Sequence, residues 1–137
     1  MTRYVSVHVH LVWAVKGRAP AIDESVRQWL WPALAEKARA VGSGHVVVGG
    51  VADHVLAELP AAMPVSELVR RLKGASSRLA SHRGVPDLRW QDGYAVFSVS
   101  PRDLASVAAY VRNQPEHHGD GSVDSDAELA AAAHSPR

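Results

Sequence analysis

Two hydrophobic periodicities alternate along this chain, and their order constrains the fold more than any other feature of the sequence. Strand-like alternation occupies residues 4–15, 45–48, 51–59 and 88–100. Helix-like spacing occupies residues 23–42 and 66–81 and begins again near residue 100. The order strand, helix, strand, strand, helix, strand, helix predicts an α+β plait, ferredoxin-like or RRM-like. We expect a four- to five-stranded, mainly antiparallel sheet with helices on one face.

Capping residues mark where the helices are expected to begin and end. Asp23 is a favourable N-cap for the first helix, Gly42 can end it, and Pro32 interrupts it. Ser66 is expected to cap the second helix. The pair Ser100-Pro101 is expected to start the third, because serine is a common cap and proline is tolerated in the first turn.

The composition fits one intracellular domain. With 137 residues, 47% of them hydrophobic, the chain can build a core without disulfides, and it contains no cysteine. The first residues lack the apolar run of a signal peptide, and no stretch is long enough to cross a bilayer. We therefore predict a cytoplasmic protein with one domain over residues 1–118 and a loosely ordered tail over 119–137.

Among the histidines in predicted strands, three are candidate site residues. His8 and His10 share one face of the first strand and could form half of a divalent-metal site, or they could be one surface residue and one core residue. His54 stands at the start of the third strand, in the stretch Asp53-His54-Val55-Leu56. Alone, none of the three assigns a function.

Tyr110 and Gln114 are four residues apart in the predicted third helix, so their side chains share a face. A partly exposed tyrosine near a metal could attack a phosphodiester. The alternative is that Tyr110 is an aromatic core residue.

Basic residues cluster after the first strand and on the second helix, although the net charge is only +1. They are Lys16, Arg18, Arg70, Arg71, Lys73, Arg78 and Arg83. They could contact DNA phosphates or form a solvated face, and we favour DNA. For the aromatic residues Trp90 and Phe97 we favour the core, and Tyr94 offers a stacking surface.

Five stretches in this order and spacing carry a resemblance to a known family. They are HLVWAVKGRAP, ADHVL, LVRRLKGASSRL, WQDGYAVFSVS and YVRNQPEHH. Together they resemble the insertion sequence 200/605 family of transposases and their REP-associated relatives, which are small HUH-type single-strand DNA nucleases. The resemblance extends from Val7 to about His118.

The resemblance implies a function and a set of site residues. Tyr110 matches the nucleophile that forms a 5′-phosphotyrosine, His54 the first motif histidine, and Gln114 a residue that assists metal binding. The implied cofactor is Mg²⁺ or Mn²⁺, and the implied partners are single-stranded hairpin DNA and a second copy of the chain. The partner's tyrosine helix completes the site in many members, whereas some REP-associated relatives are monomers.

Leu56 departs from the family pattern, since it stands where members carry the second motif histidine. Glu58, on the same face of the strand, or His8 or His10 from an adjacent first strand could replace the missing ligand. The alternative is a catalytically impaired or domesticated protein that binds DNA without cutting it. An unrelated plait that binds small molecules or another protein is the third hypothesis.

Overall fold

A computed structural model of the protein describes residues 4–18, 22–50, 53–85 and 88–113. Its elements follow the predicted order. Their bounds are β1 His8–Trp13, α1 Glu24–Ala40, β2 Val46–Gly49, β3 Asp53–Glu58, α2 Val65–His82, β4 Ala95–Val99 and α3 Leu104–Arg112. Short 3-10 turns, Lys16–Arg18 and Pro101–Asp103, follow β1 and precede α3. The predicted tail lies outside the described residues, so the division at residue 118 stays a prediction.

Within the described ranges the sheet has four strands in the order β2-β3-β1-β4, and all neighbours are antiparallel. β1 lies inside the sheet between β3 and β4, whereas β2 and β4 form its edges. In the register of β1 with β3, His10 lies opposite Leu56 and Val12 opposite His54. This antiparallel α+β architecture confirms the predicted fold class.

Helices α1 and α2 pack on one face of the sheet and form the main core. Because residues alternate across a strand, Val9, Leu11 and Trp13 of β1 all lie on this face, and all three are buried. The helices contribute stripes of buried residues, namely Val26, Leu30, Leu34 and Ala38 from α1 and Leu68, Val69, Leu72 and Ala80 from α2. Each buried leucine or valine is worth roughly 1.5–3 kcal/mol of hydrophobic free energy.

Helix α3 packs on the opposite face of the sheet. Its buried residues Val107, Ala108 and Val111 form a second, smaller cluster with Val47 of β2 and Val99 of β4. The expectation that the helices share one face therefore holds for α1 and α2 and is wrong for α3. The reason lies in β1, all of whose residues are buried, so that both faces of this strand need a cover.

The helix starts match the predictions in part. Asp23 caps α1, and its side chain accepts a hydrogen bond of 2.9 Å from the backbone N–H of Val26. This hydrogen bond lowers the pKa of Asp23. Helix α1 continues through Pro32. The prediction that Ser66 caps α2 is wrong, because the helix begins at Val65 with Pro64 as its N-cap.

The last strand is shorter than predicted because its pairing with the chain of β1 is interrupted at residues 91–94. Trp90 forms an isolated bridge with Val15, and Gly93, with φ of 84°, separates this bridge from β4. Trp90 is buried and its Nε1 donates a hydrogen bond of 2.9 Å to the hydroxyl of Ser76, which confirms the prediction of a core residue. Among the described helices, none combines the length and hydropathy that a membrane span requires.

Candidate functional site

Helix α3 places Tyr110 over β1. The rings of Tyr110 and His10 meet edge to face, with centroids 6.2 Å apart and planes inclined by 76°. Tyr110 is half-buried and packs against the small apolar cluster formed by Val107, Ala108 and Val111 with the sheet. The predicted tyrosine and a predicted histidine are therefore in contact within one chain.

His10 is fully buried beneath α3. Its ring centroid also lies 6.4 Å from that of Phe97, its register partner on β4. His8 is buried as well, so the interpretation of one of these two histidines as a surface residue is wrong. Both belong to the α3 face, because β1 presents His8, His10 and Val12 on the side opposite the main core.

The histidine motif on β3 lies directly beside this contact. His10 is paired with position 56, and His54 is paired with Val12 on one side and Gly49 on the other. Directly opposed residues of an antiparallel pair belong to the same face of the sheet. Position 56, where the sequence has leucine in place of the expected ligand, is thus the immediate neighbour of His10. For residues 53–56 the structure describes the backbone alone, and Gln114 lies outside the described residues.

Because residue 49 is a glycine, the backbone at the end of α3 packs directly against β2. A Cβ atom at this position would overlap the carbonyl oxygen of Val111 and lie 3.4 Å from Cα of Arg112. Gly49 is also the register partner of His54, so the close approach occurs at the motif strand. The sequence shows only a Gly49-Gly50 pair at the end of a strand, which gives no indication of this packing.

Glu58, one of the predicted substitutes for the missing ligand, has other partners. Its carboxylate accepts a hydrogen bond of 3.1 Å from the backbone N–H of Gly44 and lies 3.6 Å from Nε2 of His8. The ring of His8 in turn packs edge-on against that of His45, with centroids 6.0 Å apart. Where side chains are described, no group of three or more His, Cys, Asp or Glu residues is arranged to hold a metal.

Two of the predicted DNA-binding arginines are engaged in ion pairs on α2. Both Arg70 and Arg71 donate to the Glu67 carboxylate, at 2.6 Å and 2.7 Å. These hydrogen bonds lower the pKa of Glu67 to about 2, and the same contact raises the pKa of Arg70. The pairs are solvent-exposed and therefore contribute little to stability, but they reduce the local positive charge.

Lys73 forms hydrogen bonds with the chain segment that precedes β4. Its ammonium group donates to the carbonyl oxygens of Gln91 at 2.8 Å and Gly93 at 2.6 Å, and it lies 5.9 Å from the ring centroid of Trp13. Desolvation by burial lowers the pKa of Lys73. This geometry gives Lys73 a structural role, and its contact with a DNA phosphate stays a prediction.

The remaining predicted basic residues differ in their surroundings. Arg83 stacks on Trp29 of α1, with its guanidinium carbon 5.2 Å from the ring centroid. Lys16 and Arg78 are exposed. The side chain of Arg18 lies outside the described part of the structure.

Comparison with known proteins decides the family. A family model described as "Transposase IS200 like" matches residues 3–114 of the chain. The chain belongs to the IS200-like transposase family. No curated protein sequence matches it.

Two solved structures resemble this IS200-like transposase chain. One is a protein assigned as a transposase from Deinococcus radiodurans R1, with 26% identity and a TM-score of 0.63 over 84% of this chain and 95% of that one. The other is a REP-associated tyrosine transposase bound to a REP hairpin, with 15% identity and a TM-score of 0.61 over 87% of this chain and 73% of that one. At this lower identity the likeness concerns the fold.

Proposed function

We propose that this IS200-like transposase chain binds single-stranded, hairpin-forming DNA and cuts and rejoins it through Tyr110. The observation that carries the proposal is the contact of Tyr110 with His10, the residue paired with position 56 of the histidine motif. The family match over residues 3–114 supports it. The likeness in fold to a transposase bound to a hairpin supports DNA as the partner.

The proposed reaction uses the phenol oxygen of Tyr110 as the nucleophile. This oxygen gives up its proton and forms a bond to phosphorus, while the bond from phosphorus to the 3′-oxygen breaks and that oxygen takes up a proton. The products are a 5′-phosphotyrosine and a free 3′-hydroxyl. Attack by a 3′-hydroxyl on the phosphotyrosine reverses the step and rejoins DNA without an external energy source.

The donors for a divalent ion in this proposal are His54, Gln114 and His10. Leu56 has no donor atom, and Glu58 is already held by Gly44 and His8. His10 supplies an imidazole at the register position beside Leu56. The amide oxygen of Gln114 is a donor of the kind that Mn²⁺ and Mg²⁺ prefer. When bound, such an ion neutralises charge that develops on the phosphate.

The proposed DNA-binding residues are Lys16, Arg18, Arg70, Arg71 and Arg78. Lys73 is omitted because backbone carbonyls occupy its ammonium group. Replacing any one phosphate-binding cation by alanine is expected to flatten the salt dependence of binding to single strands by about 0.7 in log–log slope. The cytoplasmic location and the homodimer remain predictions, and the Tyr110–His10 contact within one chain needs no partner.

A second candidate function is DNA binding without cleavage. Leu56 favours it, because a missing ligand weakens metal binding and nothing in the described side chains supplies a cluster of three His, Cys, Asp or Glu ligands. In this case the chain would retain hairpin recognition and lose strand transfer.

Four proteins distinguish the two candidates: the natural chain, His10→Ala, Leu56→His and the double variant. Each is assayed for binding and for cleavage of labelled hairpin DNA in Mn²⁺. If His10 replaces the missing ligand, His10→Ala abolishes cleavage with binding retained, and adding Leu56→His restores it. If the chain is disarmed, the natural protein binds without cutting and Leu56→His alone creates cleavage.

The matched control is His8→Ala. His8 is also buried and lies two residues away on the same strand, so it reports the cost of removing a buried imidazole from β1. Absence of hairpin binding by the natural chain would contradict both candidates. Cleavage that survives in His10→Ala would remove His10 from the donor set.

A further inference from the structure

A cleft opens at the end of β2, where α1 from one face of the sheet and α3 from the other reach the same edge. Its volume is about 530 Å³. The residues that line it and carry the argument are Glu24, Arg27 and Trp31 of α1, Gly49 and Gly50 at the end of β2, and Arg112 of α3. The α1 and α3 side chains of this cleft take no part in the proposed cleavage step.

The cleft carries two cations, Arg27 and Arg112. Among the described residues, neither Arg27 nor Arg112 forms an ion pair, in contrast to Arg70 and Arg71, which share Glu67. Glu24 contributes one negative charge to the lining, so the two arginines leave an excess of one positive charge. Arg112 is exposed and Arg27 half-buried, and both line the opening.

Trp31 supplies an aromatic surface in the same lining. Its half-buried side chain packs against the main core and also lines the cleft. A rigid indole anchored in the core loses little entropy when it contacts a ligand. The combination of a stacking aromatic residue and flanking arginines is typical of sites that bind single-stranded nucleic acid without reading its sequence.

The cleft adjoins the candidate cleavage site. Its lining includes Gly49, the register partner of His54, which is in turn paired with Val12 of β1, the strand that carries His10. Neighbouring strands lie about 5 Å apart, so the end of β2 is about 10 Å from the strand beneath Tyr110. Nucleotides next to a phosphate bound at Tyr110 can therefore extend to this opening.

We propose that the cleft binds the single-stranded nucleotides that flank the phosphate cut by Tyr110. Trp31 stacks on a base, and Arg27 and Arg112 each contact a phosphate. This inference rests on the proposed function, and it adds a subsite for single-stranded DNA that is separate from the basic face of α2.

The test compares two DNA probes by fluorescence anisotropy: a hairpin with a single-stranded dT flank of about twelve nucleotides, and the same hairpin without the flank. Trp31→Ala is expected to weaken binding of the flanked hairpin about tenfold. Arg27→Ala and Arg112→Ala are each expected to flatten its salt dependence by about 0.7 in log–log slope. Binding of the blunt hairpin should not change. Because Trp31→Ala could disturb the core, Trp31→Phe serves as the conservative variant and should retain most of the affinity.

Arg39→Ala is the matched control, since Arg39 is an exposed arginine near the other end of α1 and should leave both probes unaffected. If the natural protein favours the flanked probe and all three cleft variants bind it as tightly and with the same salt slope, the subsite inference is overturned while the proposed function stands. If the natural protein binds neither probe, the proposed function itself fails. If free dT mononucleotide displaced the flanked probe as effectively as flank DNA of similar concentration does, the cleft would be a mononucleotide site. This result would also overturn the inference.

Discussion

Substitution of Gly49 by alanine tests whether the close approach of α3 to the sheet positions the candidate site. The added Cβ would overlap the carbonyl oxygen of Val111, which is backbone and can move only with the helix. Overpacking of this kind costs roughly 1–3 kcal/mol. Replacing a glycine also lowers the conformational entropy of the unfolded chain, which raises the free energy of unfolding by about 0.5–1 kcal/mol. We therefore expect a net loss of about 1–2 kcal/mol in the free energy of unfolding, working from these two opposing effects.

The assay is urea denaturation followed by circular dichroism, with Gly74→Ala as the matched control. Gly74 lies within α2, and a Cβ there would meet only the flexible guanidinium of Arg78, at 3.4 Å. Gly74→Ala should therefore raise stability by about 0.5–1 kcal/mol. Gly49→Ala should lower the urea midpoint by about 0.5–1 M for a domain of this size.

Gly49→Ala should also affect DNA cleavage, because α3 has to move to make room for the added Cβ. Lifting the end of α3 separates Tyr110 from His10, so DNA cleavage by Gly49→Ala should fall even where the variant is fully folded, while hairpin binding through α2 persists. A Gly49→Ala protein that is as stable as Gly74→Ala would refute the packing argument. Undiminished cleavage would refute the link between this packing and Tyr110.

Three further predictions concern α2 and the segment it holds. Glu67→Gln should steepen the salt dependence of DNA binding, because it releases both arginines. The pKa of Glu67 falls to about 2 on folding, so the stabilising effect of this carboxylate should be full above about pH 5 and shrink toward pH 3. A difference in urea midpoint between the natural protein and Glu67→Gln that does not change with pH would contradict this. Ser76→Ala should cost about 1–3 kcal/mol because it leaves the buried Nε1 of Trp90 without its acceptor, whereas Ser77→Ala should be near neutral in thermal unfolding. Lys73→Met should cost about 1 kcal/mol, since one of the two carbonyls it releases is exposed to water, and unchanged stability would remove its structural role.

The element order and the main core follow from the sequence because they depend on local periodicity. The stripe on α1, from Val26 to Ala38, is buried as its spacing predicts. Asp23 caps α1 because its side chain reaches an N–H three residues ahead, a contact that sequence alone specifies. The predicted start of α2 is wrong because Ser66 has the chemistry of a cap, yet the chain already turns helical at Val65.

The arrangement around Tyr110 depends on contacts that local pattern does not encode. Alternation shows that β1 has an apolar face and a face with two histidines, but it does not show which of them α3 covers. The register that pairs His10 with Leu56 arises from tertiary pairing of strands far apart in sequence. Similarly, Lys73 belongs to a basic run in the sequence, and only the fold reveals the two carbonyls that occupy it.

The most direct test of the central claim is whether Tyr110 becomes covalently joined to DNA. Hairpin DNA labelled at its 3′ end is incubated with the protein and Mn²⁺ and resolved by denaturing electrophoresis, in parallel with the same DNA labelled at its 5′ end. We predict a protein band that carries the 3′ label and not the 5′ label, that disappears in Tyr110→Phe, and that persists in Tyr94→Phe, which alters an exposed tyrosine. No labelled protein band, or a band that survives in Tyr110→Phe, would contradict the claim.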